Sequence, residues 1–351
     1  MSWATPQYEM KIVDAAGRAL ASQLFPLLVD QSLNVINNWR SSHSYPLNTF
    51  QITLRSKAKK LERDIIVAQR IKRLESIHAK LTRQKSMRMT QMQDIAGCRV
   101  VFKNIKNVRK LVEVYKNSKF GHIFKGEKDY IANPKQDGYR CYHLIYEYVG
   151  TTDTEKFNGL KIEIQIRTQL QHAWATAVEA VGIFTKQALK SNQGDEDWRR
   201  FFALMGTAVA SIEQCAPVPN TPTDKKRLVK EIKKLADKLR VHDMLQFYSA
   251  TLNVASDAKD AKYFLLSLDL DKKQVTLKRF KASQSQAANE QYTAMESSIP
   301  ENSSMQVVLV SVESIATLRR AYPNYFLDTN IFADVVKKVL NNEFPESIPV
   351  K

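Results

Sequence analysis

Lys161-Ile162-Glu163-Ile164-Gln165-Ile166-Arg167-Thr168 alternates polar and β-branched apolar residues along its whole length. Successive strand side chains point to opposite faces, so Ile162, Ile164 and Ile166 share one face and Lys161, Glu163, Gln165 and Arg167 the other. The first face belongs to a core. The second carries both charge signs and either lines an active cleft or is the wet side of an antiparallel sheet. Upstream, residues 99–102 and 139–149 carry the same β-branched pattern, with a helical stretch over 108–118 between them. A mixed β-sheet flanked by helices, an α/β (α+β) fold, follows for this central part.

Outward from it the pattern turns helical. Residues 8–88 carry an apolar stripe (Leu28, Val29, Leu33, Val35, Ile36) before Trp39; Pro46 then breaks the chain ahead of a basic helix over roughly 47–69. Helix-forming composition returns over 169–214, interrupted by an acidic turn at 194–197. Pro217-Val218-Pro219-Asn220-Thr221-Pro222 is the strongest boundary signal. Beyond it come a basic helix, a hairpin of 263–270 and 274–280 around Asp271-Lys272-Lys273, a strand over 305–312 and a final helix over 330–341. The expected units are a helical N-terminal region 1–46, a central domain 47–216 and an α+β unit 223–351.

Composition narrows the function classes. The 351 residues hold 53 Lys and Arg against 36 Asp and Glu, a net charge of +17, which attracts polyanions such as nucleotides and RNA. The excess concentrates in residues 55–88 and 225–240, either as solvated helix faces or as binding patches. No apolar run spans a bilayer and the first residues lack a signal-peptide layout, so a cytoplasmic protein without a membrane partner is expected. Three cysteines without a CxxC pair exclude a disulfide framework and a zinc cluster. No GxGxxG occurs, and Gly121-His122-Ile123-Phe124-Lys125-Gly126 is followed by Glu127 where a Walker motif needs lysine. His242-Asp243 lacks the further ligands of a metal-dependent phosphohydrolase. Side chains must therefore hold any phosphates.

Three further clusters carry chemistry. Gly138-Tyr139-Arg140-Cys141-Tyr142-His143, following Lys128-Asp129-Tyr130 and Pro134-Lys135, is either an aromatic platform for a base beside a histidine donor or a turn glycine opening a half-buried strand. Asp94 stands ahead of Ile95-Ala96-Gly97-Cys98-Arg99. With Glu163 on a nearby strand it would complete a Mg²⁺ site, since Mg²⁺ takes one or two carboxylates plus substrate phosphates. Arg70, Lys72, Ser76 and Lys80 place four polyphosphate-binding groups at close spacing, the last three on one face if the segment is helical.

Together, Arg70-x-Lys72-x-x-x-Ser76-Ile77-x-x-Lys80, Asp94-Ile95-Ala96-Gly97-x-Arg99, Lys128-Asp129-Tyr130-Ile131 with Pro134-Lys135-x-x-Gly138-Tyr139-Arg140-x-x-His143, and Glu163-Ile164-Gln165-Ile166-Arg167-Thr168 resemble, in order, the synthetase domain of the RelA/SpoT family over roughly residues 47–185. The resemblance implies a nucleotidyltransferase-like fold and a pyrophosphokinase that moves the β,γ-diphosphate of ATP to a ribose 3′-hydroxyl, releasing AMP. It implies that Arg70 and Arg99 sandwich the adenine, that Lys72, Ser76 and Lys80 hold the triphosphate, and that Asp94 binds Mg²⁺. Glu163 would orient or deprotonate the 3′-hydroxyl and share the metal. Tyr139 would stack on the acceptor base, with Lys128, His143, Gln165 and Arg167 placing its ribose and phosphates.

The chain looks like a stand-alone small alarmone synthetase, since the hydrolase and regulatory domains of the long bifunctional members have no match in it. Cys141 stands where serine is common, and His172-Ala173-Trp174-Ala175-Thr176-Ala177-Val178-Glu179 departs from the usual Trp-Ala-x-x-Glu-His, which puts a contribution from that helix in doubt. The acceptor implied by family frequency is GDP or GTP, giving (p)ppGpp. Toxic members resembling this chain act instead on adenine nucleotides or on the 3′ CCA end of tRNA, and the +17 charge suits tRNA. An inactive nucleic-acid-binding module is the rival of another class. The C-terminal unit is expected to support the fold, inhibit the site, form an oligomer interface, or receive an antitoxin or trigger protein.

Overall fold

The computed structural model describes residues 3–22, 26–184, 195–241, 245, 261–269, 274–299, 305–312, 315–323 and 329–344. Three helices open the chain: α1 (Met10–Ser22), α2 (Pro26–Ser42) and α3 (Ser44–Lys59). They lead into β1 (Ile66–Ile71), α4 (Leu74–Arg83), β2 (Ala96–Phe102) and α5 (Ile105–Asn117). Then follow β3 (Ile123–Asp129), β4 (Tyr142–Glu147), β5 (Lys161–Thr168), α6 (Gln169–Phe184), α7 (Glu196–Ile212) and α8 (Lys225–Lys238). The C-terminal unit adds β6 (Tyr263–Asp269), β7 (Gln274–Phe280), α9 (Ser285–Ser297), β8 (Met305–Ser311), α10 (Ile315–Ala321) and α11 (Asn330–Leu340).

All eight strands form one mixed sheet in the order β3-β4-β5-β2-β1-β8-β6-β7. β2 and β5 are parallel, with Gly97 opposite Glu163 and Arg99 opposite Gln165. β1 is antiparallel to β2, and β4 to β5. Ile162, Ile164 and Ile166 are each 0% exposed, in a core with Phe50 and Leu54 of α3 and Val108 and Leu111 of α5. The opposite face is also covered: Ile66, Ala68 and Val101 pack under Leu170 and Trp174 of α6, Phe202 and Met205 of α7 and Val336 of α11. The polar row of β5 is therefore not a wet face, since Glu163 is 7% and Arg167 4% exposed.

Several expectations change. The helix expected over 47–69 is α3 followed by β1, because the β-branched run Ile65-Ile66-Val67 favours a strand once the chain leaves Lys60. Pro46 lies in the first turn of α3, where its missing N–H has no helical partner to lose, so it starts a helix there. Arg70 is on β1, Lys72 follows it, and α4 carries Ser76 and Lys80, so Lys72 does not share a helical face with them. β3 and α9 had no expectation: β3 is a polar edge strand with Gly126 at φ +140°. The strand expected from 139 pairs from Tyr142 onward. Leu28 and Val29 side chains, Asp271-Lys272-Lys273 and His242-Asp243 lie outside the described residues.

Gly138 has φ +95°, and a Cβ there would stand 2.9 Å from both the Phe202 carbonyl oxygen and the Trp174 ring. Gly138→Ala is expected to cost about 1–3 kcal/mol through backbone strain and overpacking, read as a lower denaturant midpoint.

Candidate active site

The site lies where the β1–α4 connection, the entrance to β2 and the polar face of β5 converge. A cavity of about 50 Å³ is lined by Arg70, Lys72, Asp94, Arg99, Glu163 and Gln165, together with Tyr322 from beyond α10. Residues far apart in sequence thus meet at one pocket, in part because parallel pairing sets Glu163 beside Gly97, whose missing side chain leaves room there. Lys80 joins through Asp94. Ser76 is on α4 outside the lining, and Lys128 is exposed, with its Nζ 3.4 Å from Gln93 Oε1.

Asp94 accepts from Lys72 Nζ at 3.0 Å and Lys80 Nζ at 2.8 Å. Burial works to raise the Asp94 carboxyl, but the two ammonium groups outweigh it and hold it far below the usual range. Burial lowers Lys72, helped by Arg70 and Lys80 and opposed by Asp94. Glu163 bonds to His143 Nδ1 at 2.8 Å and accepts from Gln165 Nε2 at 2.6 Å. Burial would raise Glu163, yet His143 and Gln165 keep it ionised; burial would lower His143, yet Glu163 lifts it to about 10. An imidazolium–carboxylate pair results, and Nε2–H of His143 donates to the Tyr139 hydroxyl at 2.9 Å. Tyr130 and Tyr139 stand 5.8 Å apart, with Lys135 Nζ over both rings at 4.6 and 5.1 Å. Tyr139 and His143, singled out in the sequence, thus stand together, with Tyr130 and Lys135 beside them.

At the other end, three guanidinium groups gather. Burial, Arg167 and Arg70 lower Arg99 to about 9, and burial lowers Arg167. His172 Nδ1 accepts from Arg167, and its Nε2–H donates to the Arg320 carbonyl at 2.9 Å. Burial and both guanidiniums hold His172 neutral. The helix carrying His172-Ala173-Trp174, whose contribution the sequence put in doubt, therefore touches the site through His172. Tyr322 was missed as well: its ring centroid lies 5.1 Å from the Arg99 guanidinium, its hydroxyl donates to the Gln69 carbonyl at 2.9 Å, and Arg99 donates to the Ala321 carbonyl. No local signal marks such a contact, which joins residues more than two hundred positions apart.

Beyond Arg167, Thr168 and Gln171 donate to Glu213. Burial pushes the Glu213 carboxyl up to about 7 from an ordinary 4.5, against those donors and Arg140. As pH rises past 4.5 the unfolded chain ionises first, so the native state loses stability until Glu213 itself ionises near 7. The unsubstituted protein is expected to lose melting temperature from about pH 5 to 7 relative to Glu213→Gln. Parallel melting curves for the two across that window would contradict a protonated Glu213.

Residues 69–188 match the family described as the region found in RelA / SpoT proteins. The GTP pyrophosphokinase YwaC of Bacillus subtilis is 39% identical over 113 residues, 30% of this chain and 52% of its own length. GTP pyrophosphokinase YjbM of the same organism is 37% identical over 114 residues, 31% of this chain and 52% of its own. The chain thus spans about half the length of these curated relatives. Among solved structures, small alarmone synthetase 1 from Bacillus subtilis bound to its product pppGpp overlaps 49% of this chain and 89% of its own, at 24% identity and a TM-score of 0.42. The likeness to RelA / SpoT proteins thus runs over residues 69–188, about a third of the chain.

Proposed function

We propose that the domain transfers the β,γ-diphosphate of ATP to the ribose 3′-hydroxyl of GDP or GTP, releasing AMP, in the cytoplasm. The observation that carries this reading is that Asp94 and Glu163 line one cavity with Arg70, Lys72 and Arg99. Mg²⁺ is commonly held by one or two carboxylates alongside substrate phosphates, so Asp94 and Glu163, once exchanged from their present partners, would hold that ion. Bound there, Mg²⁺ would neutralise charge on the transferring group. Lys72 and Lys80, released from Asp94, would take the phosphates, with Ser76 beside them; Arg70 and Arg99 would take the adenine.

On the acceptor side Glu163 would receive the 3′-hydroxyl proton, oriented for it by His143 and Gln165, and Tyr139 would take the base. Lys128, Gln165 and Arg167 would meet ribose and phosphates. Most of the rate would come from alignment and fixed charge. The C-terminal unit would be regulatory. Tyr322 forms part of the wall of this cavity, and its ring lies against the Arg99 guanidinium that would take the adenine. A protein partner that lifts residues 320–323 away would open the site.

The test is incubation of the full chain, and of its Tyr322→Ala variant, with γ-³²P-ATP, Mg²⁺ and, separately, GDP, GTP, ATP or bulk tRNA. Label on the guanine nucleotide with AMP released is the expected result. The tRNA reading is favoured by the exposed basic face of α8, which presents Lys225, Lys226, Arg227, Lys230, Lys233 and Lys234. It would show as label on tRNA whose yield falls steeply with salt. No labelled acceptor under any condition would leave the binding-module reading.

A further inference from the structure

We propose that Arg40 of α2 is a positioning residue for the triphosphate-binding segment, and that Glu296 of the C-terminal unit is the counter-charge which makes docking of that unit depend on the same guanidinium. The first half rests on the pyrophosphokinase reading. Arg40 is distant in sequence from every motif of the site, and its side chain is 3% exposed. Its Nε donates to the Lys72 carbonyl at 3.0 Å and its Nη1 to Asn37 Oδ1 at 2.8 Å. Both contacts lie outside the C-terminal unit. They fix the backbone of Lys72, whose ammonium reaches Asp94.

The remaining faces of the guanidinium belong to α9. Nη1 meets Glu296 Oε2 at 2.7 Å, Nη2 donates to the Tyr292 hydroxyl at 2.9 Å, and the Tyr292 ring centroid is 5.3 Å away. That hydroxyl in turn donates to Glu296 Oε1 at 2.8 Å. The same oxygen accepts from the Leu74 N–H at 2.8 Å, so a carboxylate of the C-terminal unit occupies the positive end of α4, the helix that carries Ser76 and Lys80. Arg73, which begins α4 without a side-chain cap of its own, donates to Gln306 Oε1 of β8 at 2.9 Å. One buried ion pair thus ties an N-terminal helix, the phosphate-binding segment and the C-terminal unit together. Removing either charge leaves the other buried without its partner, which strongly destabilises such a pair.

The two members should act on ATP differently. Losing Glu296 weakens docking and raises the fraction of open sites, which lowers the apparent ATP dissociation constant. Losing Arg40 weakens docking too, but also frees the Lys72 backbone and so weakens the grip on phosphates. The experiment compares four full-length proteins: unsubstituted, Glu296→Ala, Arg40→Lys and the Glu296→Ala/Arg40→Lys pair. Hydrogen exchange over residues 72–83 and Mg-ATP affinity at equilibrium are measured, together with KM and kcat for AMP release. Lysine keeps a charge within reach of Glu296 but cannot bridge to the Lys72 carbonyl as well, which guards against a variant that fails to fold.

Glu296→Ala is expected to speed exchange at the start of α4 at least tenfold and to lower the ATP KM severalfold. In that already undocked background, adding Arg40→Lys is expected to raise KM about tenfold with a smaller change in kcat. Equal ATP affinity in Glu296→Ala and the pair would overturn the positioning role. Unchanged exchange in Glu296→Ala would overturn the docking role. Absence of AMP release from every protein would fail the pyrophosphokinase reading, while exchange and Mg-ATP titration would still decide the clasp.

Discussion

Glu163→Gln is expected to lower AMP release by about 10²–10⁴-fold, the range that a positioned general base contributes, while ATP affinity stays within a few fold. The substitution keeps the side-chain shape and removes the charge. Glu163 is what lifts the His143 pKa, so the variant leaves His143 neutral, still able to donate Nδ1–H to the new amide oxygen. The buried pair is thereby replaced by a neutral hydrogen bond rather than broken, and the melting temperature should move little. Gln165 would turn its amide to present oxygen to the new NH₂. The measurement is AMP release with and without acceptor in the Tyr322→Ala background, alongside titration with Mg-ATP. Undiminished turnover in Glu163→Gln would remove this carboxylate from the chemistry. Lost turnover with lost ATP binding would assign it to holding the nucleotide's metal.

The part of this site that was legible in the sequence is the part governed by short-range periodicity. Three isoleucines at two-residue spacing fixed which way Glu163, Gln165 and Arg167 point, and all three isoleucines are fully buried. Whether that polar row faced water or a cleft was undecidable locally, because α6, α7 and Tyr322 cover it from elsewhere in the chain. The spacing of Lys72, Ser76 and Lys80 suggested a shared helical face, yet the strand β1 ends only one residue before Lys72. There the basic residues masked the β-branched signal of Ile65, Ile66 and Val67. The roles of His172, in a stretch whose contribution the sequence put in doubt, and of Arg40 were illegible for another reason. Each acts through backbone carbonyls and through partners beyond residue 290, and neither lies in a patterned motif. Motif reasoning finds groups that touch substrate. It has no handle on groups that hold those groups in place.

Tyr322→Ala is expected to raise AMP release about tenfold or more, mainly through a lower apparent KM for ATP. The ring lines the cavity beside Arg70 and lies against the Arg99 guanidinium, so adenine and Tyr322 would compete for that guanidinium. The alanine variant loses the hydrogen bond to the Gln69 carbonyl, worth about 0.5–1.5 kcal/mol, and the contact over Arg99, worth about 0.5–2 kcal/mol. Removing about 1.4 kcal/mol from the docked state raises the open fraction tenfold. The gain stops once the open form predominates. The seam that must part includes the short pairing of β8 with β1 at Gln69 and Arg70, and buried oxygens of Gln51, Gln69 and Ser311 lack partners beside it. Such unsatisfied atoms make the closed seam cheaper to open than a fully paired one. Tyr322→Phe keeps the ring over Arg99 and loses only the hydroxyl, so it should show the smaller rise of the two. Equal ATP affinity in all three proteins would mean that nucleotide enters without displacing the tyrosine, and the C-terminal unit would then have no hold on the adenine end of the site.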